Sequence, residues 1–185
     1  MKKVIFLLLI CFNLVGYSQT KYNLDEIVCP HDTLCYLKFD MTLLNGFVVC
    51  EFGDVGLFKN GIRDGVHKEW YENGVLKKEW TLINGLEEGV FREWYESGQL
   101  QSLENFKNGK WSGIQKEWTK YGVLTFEGNY ISGERNGLCS HWLDNGQLWY
   151  KGYYRNDYRD GLYQRWNQSG QLVKDSIYNW VDRNL

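Results

Sequence analysis

The sequence has little of what most enzymes and membrane proteins display. It contains one proline, Pro30, two methionines and three histidines in 185 residues. Its longest apolar run, Val4–Val15, falls well short of the ~20 residues a membrane-spanning helix needs. No segment carries an apolar stripe at i, i+3, i+4 and i+7 long enough for a helix. Nucleophile elbow, phosphate loop and metal-binding helix motifs are all missing. The histidines, His31, His67 and His141, share no position in the internal repeat described below. They are therefore not expected to form one site, and His67 and His141 are expected on exposed strand positions. An excess of either charge is missing too, with 21 basic against 23 acidic side chains. Neutralising phosphates needs clustered positive charge, so nucleic acid is excluded as a partner. No cofactor is expected.

Residues 1–18 read as a signal peptide. Lys2 and Lys3 precede the apolar run, and Gly16-Tyr17-Ser18 forms a small-x-small cleavage site before Gln19. A lipid anchor at Cys11 would need a small residue before it, and Ile10 is bulky. Soluble export to the periplasm, the cell envelope or the exterior is expected. Losing Lys2 and Lys3 leaves 19 basic against 23 acidic groups, a net of −4. Cys29, Cys35, Cys50 and Cys139 remain. In an oxidising compartment they allow three pairings, of which a local Cys29–Cys35 bridge is favoured. His31 and Asp32 lie in the same stretch, but the spacing fits no zinc pattern and no metal is expected.

What the sequence does have is a period. Gly65, Gly89, Gly113, Gly137 and Gly161 stand 24 residues apart. Each is followed by a tryptophan (Trp70, Trp94, Trp118, Trp142, Trp166), a second glycine (Gly74, Gly98, Gly122, Gly146, Gly170) and a leucine (Leu76, Leu100, Leu124, Leu148, Leu172). A fixed period of this length signals a tandem array. Aromatic and β-branched content makes each unit a β-hairpin, with strands about Val66–Tyr71 and Leu76–Leu82. The residue before the second glycine varies from Asn73 to Tyr121. This fits a three-residue loop in which only glycine is left-handed, producing a bulge.

Such a loop sets Trp70 opposite Leu76. Simple alternation then places Val66, Trp70, Leu76 and Leu82 on one face, and the same columns recur in every unit. The Trp and Leu columns are expected to form the buried ladder that holds the array together. One hairpin cannot bury that face, so stability needs several units.

The other face is the candidate binding surface. Tyr71, Tyr95 and Phe91 lie there, flanked by Glu69 and Glu93, with Glu117 in the same column. Paired carboxylates could serve a glycosidase. Repetition, however, gives these glutamates similar surroundings and does not differentiate an acid from a base, so no enzyme is expected. Lys68, Arg92 and Lys116 share their pleat with tryptophan. Either their stems lie over the ladder or they form a cationic stripe for an anionic partner.

The stretches "FKNGKWSGI" (106–114), "YISGERNGL" (130–138) and "YRNDYRDGL" (154–162) resemble the MORN repeat, aromatic-x-x-Gly-Lys/Glu-x-x-Gly. The longer "KEWYENGVL" form (68–76) is similar to the bacterial MORN variant, found in proteins often labelled as antitoxins of the YwqK type. The resemblance covers about residues 57–178. It implies an elongated antiparallel sheet of successive hairpins that associates with protein or lipid. A choline-binding repeat would need regularly paired aromatics, and Tyr71 and Tyr95 give way to Thr119, Leu143 and Asn167. The expectation is thus an all-β, elongated, twisted antiparallel meander of 24-residue hairpins. Residues 19–64 would cap it with a degenerate hairpin, and 65–185 would hold five units, with Trp180, Asp182 and Arg183 blunting the last edge. A non-catalytic, exported protein-binding or envelope scaffold module is expected, with a membrane surface or lipid as a second class of contact. The alternative is an antitoxin or immunity protein that neutralises a toxin.

Overall fold

The computed structural model describes residues 20–29 and 34–179. The expected signal peptide, His31 and Asp32, and Trp180, Asp182 and Arg183 lie outside the described residues.

The N-terminal part holds β1 (Lys21–Asn23), β2 (Ile27–Val28), β3 (Tyr36–Leu37), β4 (Gly46–Cys50) and β5 (Gly53–Lys59). The first unit is β6 (Ile62–Trp70) and β7 (Leu76–Ile83). The second is β8 (Leu86–Glu87), β9 (Gly89–Trp94) and β10 (Leu100–Lys107). The third is β11 (Lys110–Trp111), β12 (Gly113–Trp118) and β13 (Leu124–Ile131). Then come β14 (Glu134–Trp142) with β15 (Leu148–Arg155), and β16 (Tyr158–Trp166) with β17 (Leu172–Tyr178). All but β2 and β3 join one fifteen-stranded sheet laid out as a meander. The exception to antiparallel order is β1, which runs parallel to β4. The expected all-β architecture of hairpin repeats is the observed one.

Two turn types alternate, and local chemistry dictates both. Between units, Asn84-Gly85 and Asn108-Gly109 have positive φ at both positions (52° and 80°, 50° and 72°). That is the primed two-residue turn whose twist matches antiparallel strands, and it favours Asn-Gly. Within each unit the loop is longer. The Tyr71 N–H donates to the Val75 carbonyl and the Gly74 N–H to the Tyr71 carbonyl, both at 2.9 Å. Gly74 alone in that loop is left-handed, at φ 79°, as the varied residue before it implies.

The faces differ from the expectation. Trp70 pairs with Leu76, but the next pair is Glu69 with Lys78. Lys77 is an extra residue, a bulge that reverses the pleat between Leu76 and Lys78. The same skip occurs at Gln101, Thr125, Trp149 and Val173. The Trp and Leu columns therefore share a face with Val66 but not with Leu82. Phe58, Leu82, Phe126, Tyr130, Cys139, Tyr154 and Tyr163 are buried on the opposite side, hereafter the ladder face. The tryptophans are only half-buried and Leu172 is exposed, so the Trp–Leu ladder is not the core.

Ring contacts follow the ladder face. Phe58, His67, Trp80, Phe91 and Phe106 form a chain with centroids 5.2, 5.9, 6.2 and 6.1 Å apart. At this spacing edge-on and tilted pairs add to plain burial. Lys68, Arg92 and Lys116 do not form a free cationic stripe. Cross-strand glutamates take these cations instead, through Lys68–Glu79 at 3.8 Å, Arg92–Glu79 at 3.3 Å and Lys116–Glu127 at 3.1 Å.

The N-terminal part closes the open end of the ladder face. Ile27, Cys35, Leu44, Val48 and Phe58 form a core of their own, and Cys29 is bridged to Cys35. The Cys35 N–H donates to the Gly61 carbonyl and the Gly61 N–H to the Leu44 carbonyl, each at 2.8 Å. These bonds fasten the cap to the first inter-unit turn.

Candidate functional site

Three transverse rows of side chains cross the ladder face. The outermost lies near the hairpin loops and is polar. Read across ten strands it runs Glu69, Lys78, Glu93, Ser102, Glu117, Phe126, His141, Tyr150, Arg165 and Lys174, each paired in register with the next. Cross-strand neighbours on one face are ~5 Å apart. The row begins acidic, becomes aromatic and ends basic.

The acidic part borders a cleft of about 680 Å³ lined by Glu93, Tyr95, Ser102, Glu104, Glu117 and Tyr121, among others. Three of the six expected binding residues, Glu93, Tyr95 and Glu117, thus come together. Glu93 is offset by Lys78 at 3.5 Å. Glu104 accepts from Trp111 Nε1 at 2.8 Å and from the Ser102 hydroxyl at 3.2 Å. Glu117 has no ion pair among the described residues. Burial, reinforced by the Glu104 carboxylate, raises its pKa.

The other expected residues are used differently. The Tyr71 hydroxyl donates to the Trp94 carbonyl and the Tyr95 hydroxyl to the Trp118 carbonyl, both at 2.8 Å. These two phenols tie one unit to the next. Phe91 belongs to the aromatic chain. Glu69 lies apart, in a cleft of about 860 Å³ between the cap and the first unit, with Phe52, Trp70 and Trp80.

Two histidines were expected on exposed positions, and the structure corrects both. His67 is fully buried, with Nε2 2.8 Å from the Leu57 carbonyl. Burial lowers its pKa to about 4, so the ring is neutral at pH 7. Its Nδ1 and the Trp70 indole N–H are the buried side-chain polar atoms without a partner among the described residues. His141 is half-buried between the Phe126 and Tyr150 rings, at 4.6 and 4.3 Å. Burial lowers its pKa too, with a smaller contribution from Arg135. A signal for His67 existed, since its column holds Phe91, Gln115, Cys139 and Tyr163, a mostly apolar company that argues for the interior.

The family model described as "MORN repeat variant" matches residues 63–84, 87–108 and 135–156. Three of the units match the MORN repeat variant. Each matched segment starts just past one inter-unit turn and ends on the first residue of the next, at Asn84, Asn108 and Asn156. Residues 111–132 lie in the same phase between them and build the same hairpin. No curated protein matches the chain. MORN repeats are generally associated with protein or membrane binding and are typically non-catalytic. Among the described residues no helix is long and apolar enough to cross a membrane.

Proposed function

We propose that the protein is an exported, non-catalytic binding module that docks a protein partner on the ladder face of its first three MORN-type units. The carrying observation is the cleft beside the hairpin loops that gathers Glu93, Tyr95 and Glu117. Tyrosine combined with carboxylates suits a partner presenting basic and apolar side chains, and tyrosine is enriched at interface hot spots. The MORN match supports association over catalysis. The leader sequence supports export, and so does the Cys29–Cys35 bridge, since such bridges persist in oxidising compartments.

The test is capture of partners by the folded protein, compared with Glu69→Lys/Glu93→Lys. Both carboxylates are at or near the surface, so the fold should survive, as circular dichroism would report. Loss of the captured partner is the expected result. Unchanged capture by the folded variant would refute this docking face.

A further inference from the structure

The basic end of the polar row has no acidic counterpart among the described residues. Arg165 pairs in register with Lys174, a second cation, and Arg165 has no ion pair among the described residues. Glu117 is likewise without one. Glu117 stands on β12 and Arg165 on β16, each two strands from His141 on β14. The four intervening strand spacings amount to ~19 Å, too far for the two to meet within one chain. Between them Phe126, His141 and Tyr150 form a continuous ring platform.

This arrangement is self-complementary. A two-fold axis passing above His141, roughly along the strands, sets Glu117 over the place of Arg165 and Phe126 over that of Tyr150. It also brings Lys174 over Ser102 and Glu104. A symmetric pair of subunits must present one patch that fits itself, residue i to j and j to i. We propose that units three to five are the contact surface of a two-fold dimer of this chain. The ladder faces pack against each other, with Glu117 of each copy paired to Arg165 of the other. Twisted sheets pack face to face at about −30°, which confines the contact to the strands around β14. The occupant is a second copy because the two charges without an ion pair among the described residues are opposite in sign and equidistant from the rings. A foreign partner would have to reproduce both features.

The proposal does not rest on the docking of a foreign partner. That reading is probed by capture with Glu69 and Glu93 changed, and this one by molecular mass with those residues intact. Sedimentation equilibrium of the protein should show a dimer that weakens with salt, because the pairs at its rim are screened. Glu117→Arg or Arg165→Glu alone should weaken it by about a hundredfold or more, since each reversal breaks both symmetric pairs and sets like charges together. The combined Glu117→Arg/Arg165→Glu protein should regain the dimer, which compensation inside one chain cannot explain at this separation. If either single reversal fails to fold by circular dichroism, Glu117→Gln and Arg165→Gln take its place, and each must still weaken the dimer. A monomeric parent protein would overturn the proposal. So would a dimer indifferent to both reversals, or singles that the combined change does not rescue.

Discussion

The inversion of faces is the claim most open to a stability measurement. Phe126 is 8% exposed on the ladder face, against Tyr130 and the His141 ring. Replacing it by alanine removes most of ~150 Å² of aromatic area. At ~25 cal/mol per Å² that is about 3–4 kcal/mol, within the range for large aromatic deletions in cores. Ile114 stands on the preceding strand of the same unit, on the Trp face, and is 46% exposed. Ile114→Ala should therefore cost only ~1 kcal/mol, about half of a full aliphatic burial. Trp118→Ala, half-buried on that same face, should fall between the two. Urea unfolding followed by fluorescence gives the three losses. Hydrogen exchange on β12–β14 shows whether each is felt locally, because repeat arrays need not melt as one unit. If Trp118→Ala proves the most costly and Phe126→Ala the mildest, the tryptophan side is the core and the bulge argument fails.

Other predictions follow from single positions. A Cβ added at Gly128 would lie 2.6 Å from Phe126 Cζ and 3.1 Å from Cys139 Sγ. Gly128→Ala should thus cost ~1–3 kcal/mol by overpacking, seen as a lower urea midpoint. A Cβ at Gly109 would meet only ordinary contacts, with Leu86 Cδ2 at 3.5 Å and Glu87 Oε2 at 3.6 Å, but the residue sits at φ 72°. Gly109→Ala should cost ~1 kcal/mol through the backbone alone, so a loss well above that at Gly128 would contradict the absence of a clash there. His67 has a folded pKa near 4 against an ordinary value of 6.5. Its burial as the neutral ring therefore favours the fold fully above pH 6.5, and this contribution is lost as pH falls towards 4, where the unfolded chain binds the proton and the folded one does not. The gap in urea midpoint between the parent and His67→Leu should change across that window and stay flat above it. Arg135 joins Asp157 at 2.8 Å and lies 4.3 Å from the Tyr154 ring centroid. Arg135→Met should loosen the fourth unit, read as faster exchange in β14, and added salt should narrow the difference.

Much of this molecule could be read without coordinates, and the reason is repetition. Four columns repeated in five units fix the unit length, and the invariant Gly74 position beside a variable neighbour fixes the loop. The faces could not be read because the bulge carries no residue signature. Lys77, Gln101, Thr125, Trp149 and Val173 have nothing in common, and counting by twos passes through them unaware. That single skipped residue moved Leu82 and its column to the other side and made tryptophan look like the core. The site suffered from a different limit. Tyr71 and Tyr95 look like free interface aromatics in sequence, whereas their hydroxyls are used by main-chain carbonyls 23 residues on. Hydrogen-bond partners so far away are set by strand register, which no local pattern displays. The bipolar order of the polar row is present in the sequence, as Glu69, Glu93, Glu117, His141 and Arg165. It became meaningful only once those residues were known to share a side with the ladder.

The inter-unit turns do more than reverse the chain. The Gly109 N–H donates to the Glu87 carbonyl, that of Gly133 to the Trp111 carbonyl, and that of Asp157 to the Arg135 carbonyl, at 2.9, 2.8 and 3.1 Å. At the first turn the Leu44 carbonyl takes the same part for Gly61, so the cap imitates a preceding unit. The turns are thus stitched along one margin like a hem, separately from the strand ladder. A hem of this kind has a direction. Each stitch is held by the unit before it, and the one at Asp157 is the last among the described residues. Under tension between the two ends, the sheet should tear from the β17 side, stitch by stitch, towards a cap that gives way last.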